Sequence, residues 1–260
     1  MNDTKIKARL FTDDDLGASV TITPNADQAH YLLKVMRAGN DERVILFNGR
    51  DGEWLSTVDE ATKKTCVLRL EKQLRAQSPE PDLWLAFAPL KKSNTDFVIE
   101  KATELGVSSL MPVFTERTNT TRVKSERLRI IAMEAAEQCD RLSIPEVAEP
   151  LSLAKLLASW PDGRTLLVPD ETGGGRALKD VLVDNTLKPH GFLIGPEGGF
   201  SASELDALSN LPFVIRVGLG PRILRAETAA LAALACFQAL SGDWKQKPRF
   251  NNGYHFNAHK

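Results

Sequence analysis

A glycine-rich loop that contains one carboxylate follows a short apolar run late in the chain. The run Phe192–Ile194 is followed by Gly195–Phe200, and Ser201 and Glu204 then have the spacing of a capping box, which indicates that a helix begins there. Glycines let a backbone approach a ligand closely and adopt positive φ angles. The pattern therefore favours a ligand-binding loop over an ordinary strand-to-helix turn. It matches neither the dinucleotide fingerprint nor the Walker A motif.

A second glycine-rich turn, with two arginines, follows the next apolar run. Val214–Val217 is followed by Gly218–Pro221, and Arg222 and Arg225 then flank an apolar pair. Charged side chains are rarely buried without a partner, so these arginines either contact a ligand or form structural salt bridges. The alanine-rich helix predicted over Ala226–Leu240 allows close helix packing, either within the fold or across a dimer.

Basic side chains gather after several apolar runs and on one predicted helix. His30, Lys34 and Arg37 have the i, i+4, i+7 spacing that places side chains on one face of an α-helix. Clustered basic residues can follow the phosphates of a nucleic acid, whereas a single one is usually a solvated surface charge. The joint placement favours a track that contacts phosphates, made of Arg9, His30, Lys34, Arg37, Lys91, Lys92, Arg117 and Arg122.

Composition argues against several classes of protein. The 260 residues have a formal net charge of −1, which argues against non-specific coating of nucleic acid but not against a specific RNA enzyme. The three cysteines are far apart and the chain has no HExxH motif, so we predict that no metal is bound. The N-terminal residues lack the apolar core of a signal peptide, and no apolar run reaches the roughly 18–20 residues of a membrane span. We therefore predict a cytoplasmic protein with no membrane segment.

The hydrophobic periodicity changes at the proline-containing stretch Gln77–Pro81, which predicts a linker. Before it, the turn Asn48–Gly52 and its flanking apolar residues predict a hairpin, and a single helix is predicted near Ala26–Met36. After it, short apolar runs alternate with helical patterns, including helices over 95–105 and 125–141. Such alternation predicts an α/β fold with a mostly parallel sheet, helices on both faces, and ligands beyond the carboxyl ends of the strands. The predicted domains are 1–76, 82–245 and a polar C-terminal tail, 246–260.

Several of these motifs, in the same order, resemble those of the RsmE family of ribosomal RNA uridine methyltransferases, which belong to the SPOUT superfamily. The resemblance runs almost from end to end, and its most specific parts are Gly195–Phe200 and Leu219–Ala229, with His30–Arg37 and Glu100–Val107 earlier in the chain. It implies a trefoil-knotted parallel sheet after a small N-terminal PUA-like β-barrel that binds RNA. It also implies a homodimer, S-adenosylmethionine as cofactor, and 3-methyluridine in the 16S ribosomal RNA of the small subunit as product.

The resemblance points to particular side chains for the chemistry. Arg225 is the best candidate for a cation that stabilises the uracil anion formed when the ring nitrogen loses its proton. Glu197 and Glu227 are the candidate carboxylates for a general base, with Glu197 preferred, and orientation of the two substrates is the alternative source of rate. Arg222 is expected to contact RNA. The cofactor is expected to be held by Leu167, Ile194, Gly195, Pro196, Glu197, Gly198, Gly199, Val217, Gly218, Leu219, Gly220, Ile223, Leu224 and Thr228.

Two other functions share parts of this pattern. A SPOUT methyltransferase that acts on transfer RNA, or on another ribosomal position, would share the cofactor and differ in its substrate. A non-catalytic RNA-binding or ribosome-assembly protein could keep the fold, although the intact stretches Gly195–Gly199 and Arg222–Thr228 speak against loss of cofactor binding.

Overall fold

The structure is a computed structural model that describes residues 4–184, 189–246 and 254–256. The chain divides into two compact units. The N-terminal unit contains the described residues within Met1–Pro79, Ala136–Ser143 and Pro248–Lys260, and the C-terminal unit those within Glu80–Ala135 and Ile144–Lys247. Within the described residues, no helix is long and apolar enough to cross a membrane.

The N-terminal unit is built on a mixed sheet. Its first five strands are β1 (Thr4–Phe11), β2 (Thr21–Ile22), β3 (Arg43–Phe47), β4 (Glu53–Asp59) and β5 (Val67–Arg75). They lie in the order β1-β3-β4-β5-β2, with β1 and β3 parallel and the remaining pairs antiparallel. The hairpin predicted around Asn48–Gly52 is confirmed, because β3 and β4 pair in register on either side of that turn.

The helix predicted near Ala26–Met36 is shorter than expected and changes type. Helix α1 covers Ala26–His30, and a π-helical segment, Tyr31–Val35, follows it, closed by the hydrogen bond from the Met36 amide to the Tyr31 carbonyl at 2.9 Å. Arg37 then has a left-handed backbone with φ 52. The prediction that His30, Lys34 and Arg37 share one α-helical face is therefore wrong, because the wider π turn alters the spacing and Arg37 lies beyond the helix.

The C-terminal unit is built on a parallel sheet, as the periodicity predicts. Its strands are β6 (Leu83–Phe87), β7 (Ser109–Phe114), β8 (Glu146–Val147), β9 (Leu151–Ser152), β10 (Thr165–Pro169), β11 (Arg176–Ala177), β12 (His190–Ile194) and β13 (Val214–Gly218). The order is β11-β13-β10-β12-β6-β7-β8, β9 also pairs with β7, and every pairing described in this sheet is parallel. A parallel sheet needs apolar cover on both faces.

Six helices provide that cover. They are α2 (Lys92–Glu104), α3 (Ser125–Gln138), α4 (Leu153–Ala158), α5 (Leu178–Asp184), α6 (Ala202–Ser209) and α7 (Ala226–Leu240). Side chains alternate across each strand, so Leu85 and Phe87 join a core cluster with residues of α2, α3, α5 and α7, whereas Ala86 joins a second cluster with residues of α4 and α6. Helices on both faces are therefore confirmed.

Two predicted helix ends differ from the structure, and the tail contains a strand that the sequence did not predict. Helix α2 begins at Lys92 rather than at residue 95, with Lys91 at its N-cap, and α3 ends at Gln138 rather than at Arg141 because Asp140 takes a left-handed backbone with φ 61. The tail contributes a strand, β14 (Tyr254–Phe256), which pairs in parallel with β1 at the edge of the N-terminal sheet. The other tail residues from 247 onward lie outside the described residues.

Candidate active site

A cavity of about 620 Å³ lies at the carboxyl ends of β10, β12 and β13 in the C-terminal unit. Parallel α/β sheets bind ligands at this edge, because the loops after neighbouring strands converge there. The two glycine-rich stretches identified in the sequence form part of its wall. Ten of the residues predicted to hold a cofactor line it: Ile194, Gly195, Pro196, Glu197, Gly199, Gly218, Leu219, Gly220, Ile223 and Leu224.

Four other residues predicted to hold the cofactor do not line the cavity. Leu167 and Val217 are fully buried in the core cluster that packs against α7, because alternation along β10 and β13 turns them to that face of the sheet. Gly198 and Thr228 are exposed and lie outside the lining. The cavity lies at strand ends that the sequence singled out, but the sequence could not decide which of the neighbouring residues face it.

A third wall, which the sequence analysis missed, comes from the loop after β10. The side chain of Asp170 is nearly inaccessible and forms an ion pair with Arg216, and its carboxylate also accepts a hydrogen bond from the Thr172 amide at 2.9 Å. Burial raises the pKa of Asp170, and the hydrogen bonds from Thr172 and Arg216 outweigh it, so the pKa is lowered overall. The available signals were an arginine inside the apolar run of β13 and an aspartate directly after β10.

The loops after β10 and β12 meet at Gly199. This residue has a φ of +67, and a Cβ placed on it would lie 2.6 Å from Oε1 of Glu171. A side chain would therefore strain the backbone, and the Glu171 carboxylate would have to move aside. The glycine preference inferred from the sequence has a specific structural cause at this position.

Glu227 provides an unsatisfied acceptor in the wall of the cavity. It lies in the first turn of α7, and its Oε2 atom is buried with no hydrogen-bond partner among the described residues. An unsatisfied buried polar atom is costly, so a ligand that donates an N–H or O–H group would be favoured. S-adenosylmethionine carries amino and hydroxyl donors and a positively charged sulfonium. The side chains of Glu171, Glu197 and Glu227 place carboxylates around the cavity. The residues present therefore fit that cofactor.

Two arginines line the same cavity and remain available for a ligand. Arg222 and Arg225 are both exposed, and the described part of the structure gives neither of them an ion pair or a side-chain hydrogen bond. The sequence left open that these two arginines form structural salt bridges, and among the described residues they form none. Glu197 is exposed in the cavity wall as well. Among the described residues, no cluster of three or more His, Cys, Asp or Glu side chains could hold a metal ion.

Most of the residues predicted to contact RNA are at the surface. His30, Lys34 and Arg37 are exposed on the N-terminal unit. On the C-terminal unit Lys91, Lys92 and Arg122 are exposed, and Arg117 is exposed while donating a hydrogen bond from Nη1 to the Gly198 carbonyl at 3.0 Å.

Arg9 is the exception, and its predicted contact with RNA is wrong. The residue is 2% exposed, and its Nε donates to Oε1 of Glu53 at 2.7 Å. The guanidinium also donates to the carbonyls of Ala136, at 2.8 Å, and Arg141, and it lies 3.8 Å from the centroid of the Phe47 ring. Every side of the charge is occupied by protein, so no phosphate can reach it.

Both units of this chain contain segments that match known protein families. Residues 77–238 match the family model described as RNA methyltransferase domain, and residues 24–71 match the RNA methyltransferase PUA domain. The ribosomal RNA small subunit methyltransferase E of Synechocystis sp. is 32% identical over 236 residues, which cover 89% of this chain and 77% of the relative. The enzyme of the same name from Rickettsia conorii is 29% identical over 228 residues, which cover 87% and 93%.

A solved structure extends the likeness to the fold. The crystal structure of a ribosomal RNA small subunit methyltransferase E from Neisseria gonorrhoeae, bound to S-adenosyl methionine, matches with a TM-score of 0.83 and 26% identity over 91% of this chain and 99% of that one. The predicted fold class, a SPOUT methyltransferase domain preceded by a PUA-like domain, is thereby confirmed. The chain therefore belongs to the ribosomal RNA small subunit methyltransferase E family.

Proposed function

We propose that this protein transfers a methyl group from S-adenosylmethionine to the N3 atom of a uridine in the 16S RNA of the small ribosomal subunit. The observation that carries the proposal is the cavity at the ends of β10, β12 and β13, in which two glycine-rich loops meet two arginines that have no ion pair among the described residues. The family membership supports RNA methylation, and the names of the relatives support small-subunit ribosomal RNA.

The loops around the cavity would hold the cofactor mainly by backbone groups and apolar contacts. Leu219, Ile223 and Leu224 offer apolar surface for the adenine, and Gly195 and Gly199 allow close approach of the backbone. When bound, S-adenosylmethionine supplies an electrophilic methyl group. The carboxylates of the wall suit the positive charge of the sulfonium and amino groups.

Arg225 would act on the uracil. The N3 atom carries a proton in neutral uridine and becomes a nucleophile as that proton leaves, so negative charge develops on the ring. A guanidinium next to the ring stabilises this charge in the transition state more than in the ground state. Glu197, an exposed carboxylate in the cavity wall, is the preferred acceptor for the proton, and the partly buried carboxylate of Glu227 is the alternative.

Exposed basic residues would bind the RNA backbone. His30, Lys34 and Arg37 offer such contacts on the N-terminal unit. On the C-terminal unit the candidates are Lys91, Lys92, Arg117, Arg122 and Arg222. We propose accordingly that residues 1–76 form an RNA-binding domain and residues 82–245 the catalytic domain, with 246–260 as the tail.

We also propose that the protein is a cytoplasmic homodimer. Ile223 is 81% exposed, and α7 presents the exposed residues Thr228, Cys236 and Ala239 on the side away from its buried face. Small side chains of this kind allow a second helix to approach closely. Sedimentation equilibrium would test the dimer, and a monomer at micromolar concentration would contradict it.

The deciding experiment uses small ribosomal subunits that lack the modification. The purified protein is incubated with them and methyl-labelled S-adenosylmethionine, and the nucleosides are then identified by mass spectrometry. Labelled 3-methyluridine is the expected product. A different methylated nucleoside would assign the protein to another SPOUT activity, and absence of cofactor binding would favour a non-catalytic RNA-binding protein.

A further inference from the structure

Glu204 joins two loops at the edge of the cofactor cavity. This glutamate is buried, with 9% exposure, and each of its carboxylate oxygens accepts a backbone hydrogen bond from a different segment. Oε2 accepts from the Ser201 amide at 2.9 Å, which completes the capping box of α6. Oε1 accepts from the Glu116 amide at 2.9 Å, although Glu116 lies 88 positions earlier in the chain.

A capping box alone explains only one of these two contacts. The cap requires that the glutamate reach back to the N-cap amide, which Oε2 does. The contact of Oε1 with Glu116 fixes the loop after β7 against the start of α6. A second contact holds the same loop, because Ser203 Oγ donates to the Glu116 carboxylate at 3.0 Å.

The loop after β7 is itself a closed turn with Arg117 near its tip. The Thr115 amide donates to Oγ1 of Thr118 at 3.0 Å, and the Thr118 amide donates to the Thr115 carbonyl at 3.1 Å. Since the turn is internally bonded, fixing the Glu116 amide also fixes the backbone from which the Arg117 side chain begins.

Arg117 is in turn directed onto the glycine-rich loop after β12. Its Nη1 donates to the Gly198 carbonyl at 3.0 Å, and the side chain passes close to this loop, since a Cβ added to Gly198 would lie 3.6 Å from Arg117 Cβ. A guanidinium has five N–H donors. The described structure uses one of them, and the side chain is exposed, so the others can reach an anion next to the cavity.

We propose that Glu204 is a positioning residue that holds Arg117 on the glycine-rich loop, where the guanidinium binds a phosphate of the RNA whose uridine enters the cavity. The inference rests on the proposed function and adds to it the residue that fixes the phosphate contact. Arginine suits this role because its planar fork matches the oxygens of a phosphate.

The test is a double-mutant cycle between Glu204→Gln and Arg117→Ala. Glutamine has one acceptor oxygen and one donor amide, so it can satisfy only one of the two backbone amides. In the wild-type background Glu204→Gln should raise the KM for RNA by roughly tenfold, the effect of about one charge-assisted hydrogen bond, with the Kd for S-adenosylmethionine unchanged. In the Arg117→Ala background the same substitution should leave the KM for RNA unchanged.

Ser201→Ala is the matched control, because it removes the hydroxyl that caps α6 and leaves the Oε1 contact with Glu116 in place. It should lower the unfolding temperature and leave the KM for RNA unchanged. An equal effect of Glu204→Gln in both backgrounds, or an equal rise in KM in Ser201→Ala, would overturn the proposal and leave Glu204 as a helix cap alone. Failure of the wild-type protein to methylate RNA would instead contradict the proposed function.

Discussion

The guanidinium of Arg9 and the carboxylate of Glu53 form an ion pair inside the N-terminal unit, with 1% and 0% of their side chains exposed. Arg75 adds a second guanidinium, 2.6 Å from the same carboxylate. Arg9 also donates to the carbonyls of Ala136 and Arg141, so a single buried network ties residues 136–141 to the sheet of this unit. The network has a structural role, and it explains why Arg9 is absent from the RNA-binding surface.

Replacing Glu53 with glutamine should destabilise the protein by about 3–5 kcal/mol, because removal of one partner leaves a buried charge without compensation. The free energy of unfolding in urea measures the effect. The exposed ion pair of Arg69 with Asp59, at 2.7 Å, provides the control, and Asp59→Asn should leave the unfolding midpoint nearly unchanged. A similar loss of unfolding free energy in the two variants would show that burial does not make the ion pair of Arg9 with Glu53 more important for stability than an exposed pair.

The carboxylate of Glu53 also makes the stability of the protein depend on pH. Burial raises the pKa of Glu53, but the hydrogen bond and charge of Arg75 and the charge of Arg9 outweigh it, so the pKa lies below its ordinary value of 4.5. The unfolded chain then binds a proton at higher pH than the folded protein does. The stability that Glu53 contributes is present above about pH 4.5 and is lost as the pH falls through the lowered pKa of the folded state. In urea titrations, the difference between wild type and Glu53→Gln should shrink in that acid range, and a difference independent of pH would contradict the lowered pKa.

Gly199→Ala should weaken binding of S-adenosylmethionine by roughly tenfold. An L-residue in a left-handed conformation costs roughly 1–2 kcal/mol, and the Glu171 carboxylate, whose Oε1 would lie 2.6 Å from the new Cβ, would have to leave its present position in the cavity wall. Calorimetric titration gives the Kd. Gly198→Ala in the same loop is the control, since its Cβ would make only ordinary contacts, and its Kd for the cofactor should stay close to that of wild type.

Arg225→Ala and Arg222→Ala should affect different kinetic constants. If Arg225 stabilises charge on the uracil, its removal should lower kcat by roughly 10²-fold with the Kd for S-adenosylmethionine unchanged. Arg222→Ala should mainly raise the KM for RNA. Steady-state methylation assays separate the two constants, and an equal loss of rate and cofactor affinity in Arg225→Ala would exclude the proposed role.

Lys34→Gln should reduce the salt dependence of RNA binding. Loss of one phosphate contact lowers the slope of log affinity against log salt by roughly 0.7–0.9. Filter binding at several salt concentrations measures that slope. Lys63→Gln, also exposed on the N-terminal unit but outside the predicted track, should leave it unchanged. Equal slopes for the two variants would show that Lys34 is an ordinary surface charge.

The periodicity of the sequence determined most of the C-terminal unit. The parallel sheet, the helix over Ala226–Leu240 and the capping box of Ser201 and Glu204 have the predicted form. These features depend on residues that are close in the chain, so the types and spacing of the amino acids are enough to predict the burial pattern and the local hydrogen bonds. The glycine-rich loops after β12 and β13 could be recognised for the same reason.

Only the tertiary structure decided which charged residues meet. Arg9 reaches carbonyls 127 and 132 positions away, Arg216 pairs with Asp170 at a separation of 46, and Glu204 holds an amide 88 positions away. A basic residue after an apolar run looks the same in the sequence whether it faces solvent or a distant carboxylate. The difference is set by the order in which strands pair and by which face of the sheet each side chain takes, because those two features fix whether a charge is solvated or buried with a partner.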